Sequence, residues 1–247
     1  MIDKIDVVML TKNSERLLSK SLASVYKNVP VNRLIAVDAF STDRTKAILN
    51  EFSKRYGNVK ILTDKGSRGE ARQKGIQEVG TDWFMFVDSD VVLCKDWFRK
   101  AVRHIGEDVG AIWGVDIPGD VESRFLIKIL QWMETRVFNI RGGTHDILIR
   151  YDAVKNIKIP AELHTLEDAY IKDWITSKEY RVIISYEAYC RHYKAMSNLL
   201  SKDNRADTMS ELKNMKMVRE RLVYAGIFAL MWLLQEARSR SGKGRFA

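Results

Sequence analysis

The strongest constraint on this chain is the regular alternation of short apolar runs with helical faces across its first 115 residues. Ile5–Leu10 is strand-like, and Leu17, Leu18, Ser21, Leu22 and Val25 then fall on one helical face. Leu34–Val37 is a second run. Ser41, Thr42 and Asp43 offer helix-starting side chains before Ala47, Ile48 and Phe52. Val59–Leu62, the helix Ala71–Val79 ending at Gly80, Trp83–Val87, a helix through Trp97, Phe98, Ala101, Val102 and Ile105, and Val109–Val115 continue the pattern. Trp83–Val87 has no polar alternation, as expected of a central parallel strand covered on both faces. Strands alternating with helices imply βαβ units, so the expected class is α/β with a mostly parallel sheet flanked by helices.

The second half is less regular. Val121–Phe138 reads as an amphipathic helix with Phe125, Ile129, Trp132 or Met133, and Val137 towards the core. Arg141-Gly142-Gly143-Thr144 is a flexible break, and Ile147–Arg150 an edge strand. Leu166–Thr176 reads as a helix, followed by the strand Arg181–Ser185 and a strand-like stretch Ala188–His192. Met209, Leu212, Met215 and Leu222 suggest a C-terminal helical region. No Pro/Gly/Ser-rich linker separates the halves. The expected organisation is one domain over residues 1–200, with a nucleotide-binding half (1–115) and an acceptor half (116–200), then a helical, basic region over 201–247.

Composition narrows the function. The chain has 247 residues, 46% of them hydrophobic, enough for a sizeable core. Its two cysteines, Cys94 and Cys190, lack metal-type spacing and read as buried thiols of a reducing compartment. Met1-Ile2-Asp3-Lys4 has neither signal- nor transit-peptide character, so a cytoplasmic location is expected. Net charge is +9, which favours phosphorylated or polyanionic partners. No nucleic-acid motif or basic-aromatic stripe is present, so nucleic acid is not the expected partner. Leu222–Leu234 is unbroken apolar or Gly, too short for the ~20 residues that span a bilayer. With the basic stretch Ala237–Ala247 behind it, it suits either a core helix or an interfacial one, peripheral on the cytoplasmic face of a membrane. Gly-x-Gly-x-x-Gly after a strand, a phosphate loop ending Gly-Lys-Ser/Thr and a Gly-x-Ser-x-Gly elbow are all missing, against a dehydrogenase, P-loop ATPase or serine hydrolase.

In parallel α/β sheets, ligands bind beyond the carboxyl ends of the strands. That rule selects Thr11–Asn13, Asp38 and Asp88-Ser89-Asp90. Two carboxylates two residues apart can face one Mg²⁺ or Mn²⁺, or can cap the next turn; spacing alone allows both. Asp38 can accept from a nucleobase N–H or a ribose hydroxyl, or serve the turn behind it. Arg72, one turn after Arg68, can reach a phosphate or lie on an exposed helix face. Glu167 and Asp168 suit a helix N-terminus, and one of them can equally be a general base. His192 is structural or a metal or phosphate contact.

In this order, the pieces resemble the family 2 glycosyltransferases, which have the GT-A fold. Val7-Val8-Met9-Leu10-Thr11-Lys12-Asn13 looks like the family's opening strand and nucleotide loop. Val37-Asp38-Ala39-Phe40-Ser41-Thr42-Asp43-Arg44-Thr45 looks like its second-strand motif, Ala71-Arg72-Gln73-Lys74-Gly75 like its Ala-Arg-Asn-x-Gly helix, and Phe86-Val87-Asp88-Ser89-Asp90 like its metal motif. Ile149-Arg150, Glu167-Asp168, Tyr180-Arg181-Val182 and His192 follow the downstream order. The resemblance implies inverting transfer from a UDP- or GDP-linked sugar. It implies Mg²⁺ or Mn²⁺ at Asp90 and Asp88, completed by His192. Thr11, Asn13, Asp38, Arg72 and Asp88 would hold the nucleotide, with Asp168 as base and Glu167 orienting the acceptor or the base.

Several positions depart from that pattern. Lys12 stands where an aromatic often stacks on the base. Ala39 replaces a second aspartate, and Phe40 and Arg44 replace glycines. The Gln-x-x-Arg-Trp motif of processive synthases is missing, so single-sugar transfer is expected. The expected acceptor is a glycan, lipid-linked or at a membrane surface. A polyprenyl phosphate acceptor, a sugar nucleotidyltransferase and a non-catalytic nucleotide-binding relative are the alternatives.

Overall fold

The structure, a computed structural model, describes residues 2–119, 123–136, 143–164 and 167–193. Its first half is built as the alternation demands. Strands β1 (Ile5–Thr11), β2 (Val31–Asp38), β3 (Val59–Thr63) and β4 (Trp83–Val87) pair in parallel in the order β3-β2-β1-β4. Helices α1 (Leu18–Asn28), α2 (Thr45–Tyr56) and α3 (Arg68–Gln77) connect them. A reciprocal cap starts α3: Ser67 Oγ accepts from the Glu70 N–H while the Glu70 carboxylate accepts from the Ser67 N–H. Gly75 lets this helix lie against the sheet, since a Cβ there would stand 2.3 Å from Val8 Cγ1. Side chains of β1 and β4 alternate between two cores. Val7, Met9, Met85 and Val87 meet Leu18, Leu22, Leu49 and Trp97 on one face; Val8, Phe84 and Phe86 meet Ile76, Ile171 and Ile175 on the other.

Next come β5 (Val91–Leu93), α4 (Trp97–Ala101, extended by a 3-10 turn over Val102–His104), β6 (Val109–Pro118), α5 (Arg124–Arg136), β7 (Asp146–Arg150), α6 (Tyr151–Val154), α7 (Glu167–Ser177) and β8 (Arg181–His192). The eight strands form one sheet in the order β3-β2-β1-β4-β7-β6-β8-β5. β7 runs antiparallel to both β4 and β6, β8 runs parallel to β6, and β5 pairs antiparallel with β8. The sheet is therefore mixed, with its parallel character concentrated in the first four strands.

Three expectations need correction. Ile147–Arg150 lies inside the sheet between β4 and β6, not at its edge, which is why Ile147, Leu148 and Ile149 are all buried. Arg181–Ser185 and Ala188–His192 form one continuous strand, whose register against β6 shifts between Trp113 and Val115. The helix expected around residue 130 forms, but it is rotated. Ile127 and Gln131 are buried, whereas Phe125, Ile129 and Trp132 are exposed. Apolar residues surround this helix on most sides, so periodicity could not choose its buried face. The expected helical region over 201–247, and the residues 141–142 of the expected flexible break, lie outside the described residues. Among the described residues no helix is long and apolar enough to cross a membrane.

At the amino ends of the parallel strands, Asp6 is wholly buried. Its Oδ1 accepts from Asn32 Nδ2 at 2.8 Å; its Oδ2 accepts from Arg33 Nη2 at 3.0 Å and the Gly80 N–H at 2.7 Å. Burial alone would raise this carboxyl, but the donors outweigh it and hold Asp6 below the ordinary carboxylate range.

Candidate functional site

The carboxyl rim of β1, β2 and β4 gathers the residues that strand order alone selects. Thr11 Oγ1 donates to Asp38 Oδ1 at 3.0 Å, and Ser41 donates to the same carboxylate through its N–H at 2.9 Å and its hydroxyl at 2.5 Å. Asn13, at φ 47°, ties the two loops together: its N–H donates to Ser41 Oγ at 2.9 Å, and its Oδ1 accepts from the Thr42 N–H at 2.9 Å. Asp38 is completely buried and pins the β1 and β2 loops together.

Arg72 crosses from α3 beneath this rim. Only 3% of its side chain is exposed. Nη2 donates to Asp88 Oδ1 at 3.1 Å and Nε to Glu167 Oε1 at 3.3 Å, while the guanidinium stacks on Phe86, 4.8 Å from the ring centre. Burial works against its charge, but Asp88 and Glu167 outweigh that effect and keep it cationic. Glu167 answers differently. Burial raises its carboxyl above the ordinary range and the charge of Asp168 adds to the rise, together outweighing Arg72 and Arg68, which lower it. Asp168 follows at the start of α7, half-buried beside this bridge.

The third group is assembled by pairing across the sheet. β5 places Val91 opposite His192, which brings His192 Nε2 to 3.2 Å from Asp90 Oδ1. On the other side of the ring, Nδ1 lies 3.0 Å from Asp116 Oδ2. A proton on Nδ1 satisfies Asp116 and turns the Nε2 lone pair towards Asp90, the usual arrangement by which a carboxylate orients a ligating histidine. Donor atoms of Asp88, Asp90 and His192 lie within 4.8 Å of one another. Two carboxylates and an imidazole suit a divalent cation, and the nitrogen suits Mn²⁺ better than Mg²⁺.

Behind this group, Asp146 accepts from Trp97 Nε1 at 2.8 Å, and its other oxygen lies 2.5 Å from His145 Nδ1. Cys190 Sγ is 3.6 Å from the same ring nitrogen. Burial pushes the Cys190 thiol well above its ordinary value, so it stays a neutral thiol. Both cysteines are free and buried, as expected.

Apart from Asp168, which follows Glu167, the selected residues thus fall into three groups: Thr11, Asn13 and Asp38; Arg72, Asp88 and Glu167; and Asp90 with His192, the last two joined through Asp88. Asp116 and the Ser14–Ser89 hydroxyl contact at 2.8 Å were not anticipated. Asp116 did leave a trace, a lone carboxylate in the otherwise apolar run Ala111–Pro118. Ser14 and Ser89 left none, because nothing local distinguishes them from other loop serines.

A sheet that is parallel through its nucleotide-type strands, closes with antiparallel ones and carries acidic residues beyond its central strand is of the GT-A class. The pattern described as Glycosyl transferase family 2 matches residues 6–155, and the chain belongs to that family. It is 37% identical over 133 residues to a poly(ribitol-phosphate) beta-glucosyltransferase of Bacillus spizizenii, covering 49% of this chain and 21% of that protein. It is 24% identical over 240 residues to the glycosyltransferase AglE of Haloferax volcanii, covering 90% and 76%. The chain spans about a fifth of the length of the first two curated relatives, 21% and 22%. A mannosyltransferase from Pyrobaculum calidifontis, solved with GDP-Man and Mn²⁺, shares the fold with a TM-score of 0.63 at 15% identity over 90% of this chain and 64% of that one. S. aureus TarS, solved with UDP, does so with a TM-score of 0.59 at 21% identity over 87% and 67%.

Proposed function

We propose that this chain transfers a single sugar, with inversion, from a UDP- or GDP-linked donor to a hydroxyl of a glycan acceptor, lipid-linked or held at a membrane surface. The observation that carries this reading is the convergence of Asp88, Asp90 and His192 donor atoms beside the Arg72–Glu167 bridge. Asp90, Asp88 and His192 would hold Mn²⁺ or Mg²⁺, which when bound offsets charge on the departing diphosphate. The remaining steps belong to protein groups. Asp168 takes the proton from the acceptor hydroxyl as its oxygen attacks the anomeric carbon, and the bond from that carbon to the diphosphate oxygen breaks. Glu167, fixed by Arg72, orients the acceptor beside Asp168. Arg72 ties the acceptor side to Asp88, so donor and acceptor groups share one rigid element.

The names of the relatives support a sugar donor and a hydroxyl-bearing acceptor such as a polyol phosphate chain. Incubation with UDP-glucose, UDP-GlcNAc and GDP-mannose, with Mn²⁺ or with EDTA, tests the reading. Metal-dependent release of UDP or GDP with sugar joined to the acceptor is expected. Pyrophosphate chemistry, or no nucleotide binding with any metal, sinks it. Liposome sedimentation of the chain with and without Leu222–Ala247 tests the membrane association; equal binding removes that segment from it.

A further inference from the structure

Beyond β2 stands a residue that none of these roles uses. Phe40 is 45% exposed and adopts φ 53°, the left-handed region that an aromatic residue rarely enters. Its neighbours impose that backbone. The Ala39 N–H donates to Thr11 O at 2.8 Å, and Ser41 is held by Asp38 on one side and Asn13 on the other. Both flanking residues are fixed, so the side chain between them is directed outwards. An unfavourable conformation held this firmly, on an aromatic residue left nearly half exposed, points to a role outside folding.

The surroundings suggest the role. Lys65 Nζ lies 4.8 Å and Lys46 Nζ 5.6 Å from the ring centre, and Lys46 is also 3.8 Å from Asp38 Oδ2. Asp38 itself is buried, and Lys46 beside it connects it to the exposed ring of Phe40 and to Lys65. Both lysines are exposed, and their long stems let the ammonium groups that lie over the ring swing aside for a stacked base. Lys12, at the end of β1, offers no aromatic face.

We infer that Phe40 is the stacking ledge for the donor's nucleobase, and that Lys46 and Lys65 select bases whose edge carries carbonyl oxygens. Ammonium groups only donate, so they favour uracil and guanine, which carry carbonyl oxygens, over adenine, which carries none. The inference rests on the nucleotide-sugar reading above and adds the residues that choose the base.

Calorimetric titration of the full chain with UDP, GDP and ADP in the presence of Mn²⁺, on wild type, Phe40→Gly, Phe40→Trp and Lys65→Ala, tests it. Phe40→Gly should weaken UDP or GDP binding by about 5- to 100-fold, the range for losing one base–aromatic stack, with Tm unchanged or higher because glycine accepts the backbone. Phe40→Trp should keep the affinity, and Lys65→Ala should narrow the gap between the preferred nucleotide and ADP. If Phe40→Gly lowers Tm along with affinity, the ring is a packing element and the inference fails. Unchanged affinity in Phe40→Gly overturns the ledge while leaving the proposed function standing. A wild type that binds no nucleoside diphosphate overturns both.

Discussion

The two ends of the parallel strands treat buried carboxylates in opposite ways. At the amino ends, Asp6 receives Asn32, Arg33 and the Gly80 N–H, and is held below the ordinary carboxylate range. At the carboxyl ends, Glu167 shares one guanidinium with Asp88 and is pushed up. Donors match acceptors at the first end. At the second, among the described residues, Asp88 and Glu167 share the buried Arg72, and Asp90 and Asp116 share His192. Carboxylates that share a cationic partner carry perturbed protonation, which is common where chemistry is done. The contrast separates an end that supports the molecule from the end where the proposed chemistry lies.

Substitutions at each end can break that contrast. The largest effect is expected from Asp168→Asn, which should lower kcat by about 10²- to 10⁴-fold with little change in the urea midpoint. Unaltered turnover would remove Asp168 as base and favour an acceptor whose oxygen is already anionic. Asp116→Asn should weaken Mn²⁺ binding by about 10- to 100-fold, because His192 loses the carboxylate that orients it; manganese titration followed by electron paramagnetic resonance reads this directly. At the opposite end, Asp6→Asn should cost about 1–3 kcal/mol in urea unfolding at pH 7 and leave KM unchanged. Because the folded value of Asp6 is lowered, its contribution is full above the unfolded value of about 3.9 and is lost as pH falls through the folded one. The wild-type advantage over Asp6→Asn should therefore shrink in acid.

The smallest effect carries the opposite sign. Glu167 is raised in the folded state, so its contribution is present below the unfolded value and lost as pH rises through the folded one. Glu167→Gln should be more stable than wild type near neutral pH, with the gain fading in acid, while transfer slows. A variant less stable at neutral pH would mean that the Arg72 bridge supports the fold, and would erase the distinction between the two ends.

Much of this was legible before any coordinates. Trp83–Val87 announced a buried parallel strand, and the rule that ligands sit beyond such strands pointed to Asp88 and Asp90. Arg72 and Glu167 were both selected, but their bridge spans two elements far apart in sequence, and only the fold shows it. Asp116 and Asp6 escaped because each is one polar residue in an apolar strand, and periodicity treats such a residue as noise. The buried face of α5 was misjudged for the opposite reason: Phe125, Ile127, Ile129 and Trp132 supply too many apolar positions to define a phase. The central place of β7 depends on pairing with two strands distant from it in sequence, β4 and β6, and no local pattern encodes it.

That insertion of β7 bears on how such a molecule can be taken apart or diversified. β4 carries Asp88 and Asp90 at its end and is laced to β1 on one side and β7 on the other. Residues 1–115 expressed alone would present β4 as a bare apolar edge, an invitation to aggregate. The two halves are therefore not exchangeable cassettes. Recombination that swaps one half for a relative's would tear the sheet through its middle. The segments beyond the strand ends are the places to diversify, since a loop there can be lengthened or replaced while every ladder of the sheet stays intact.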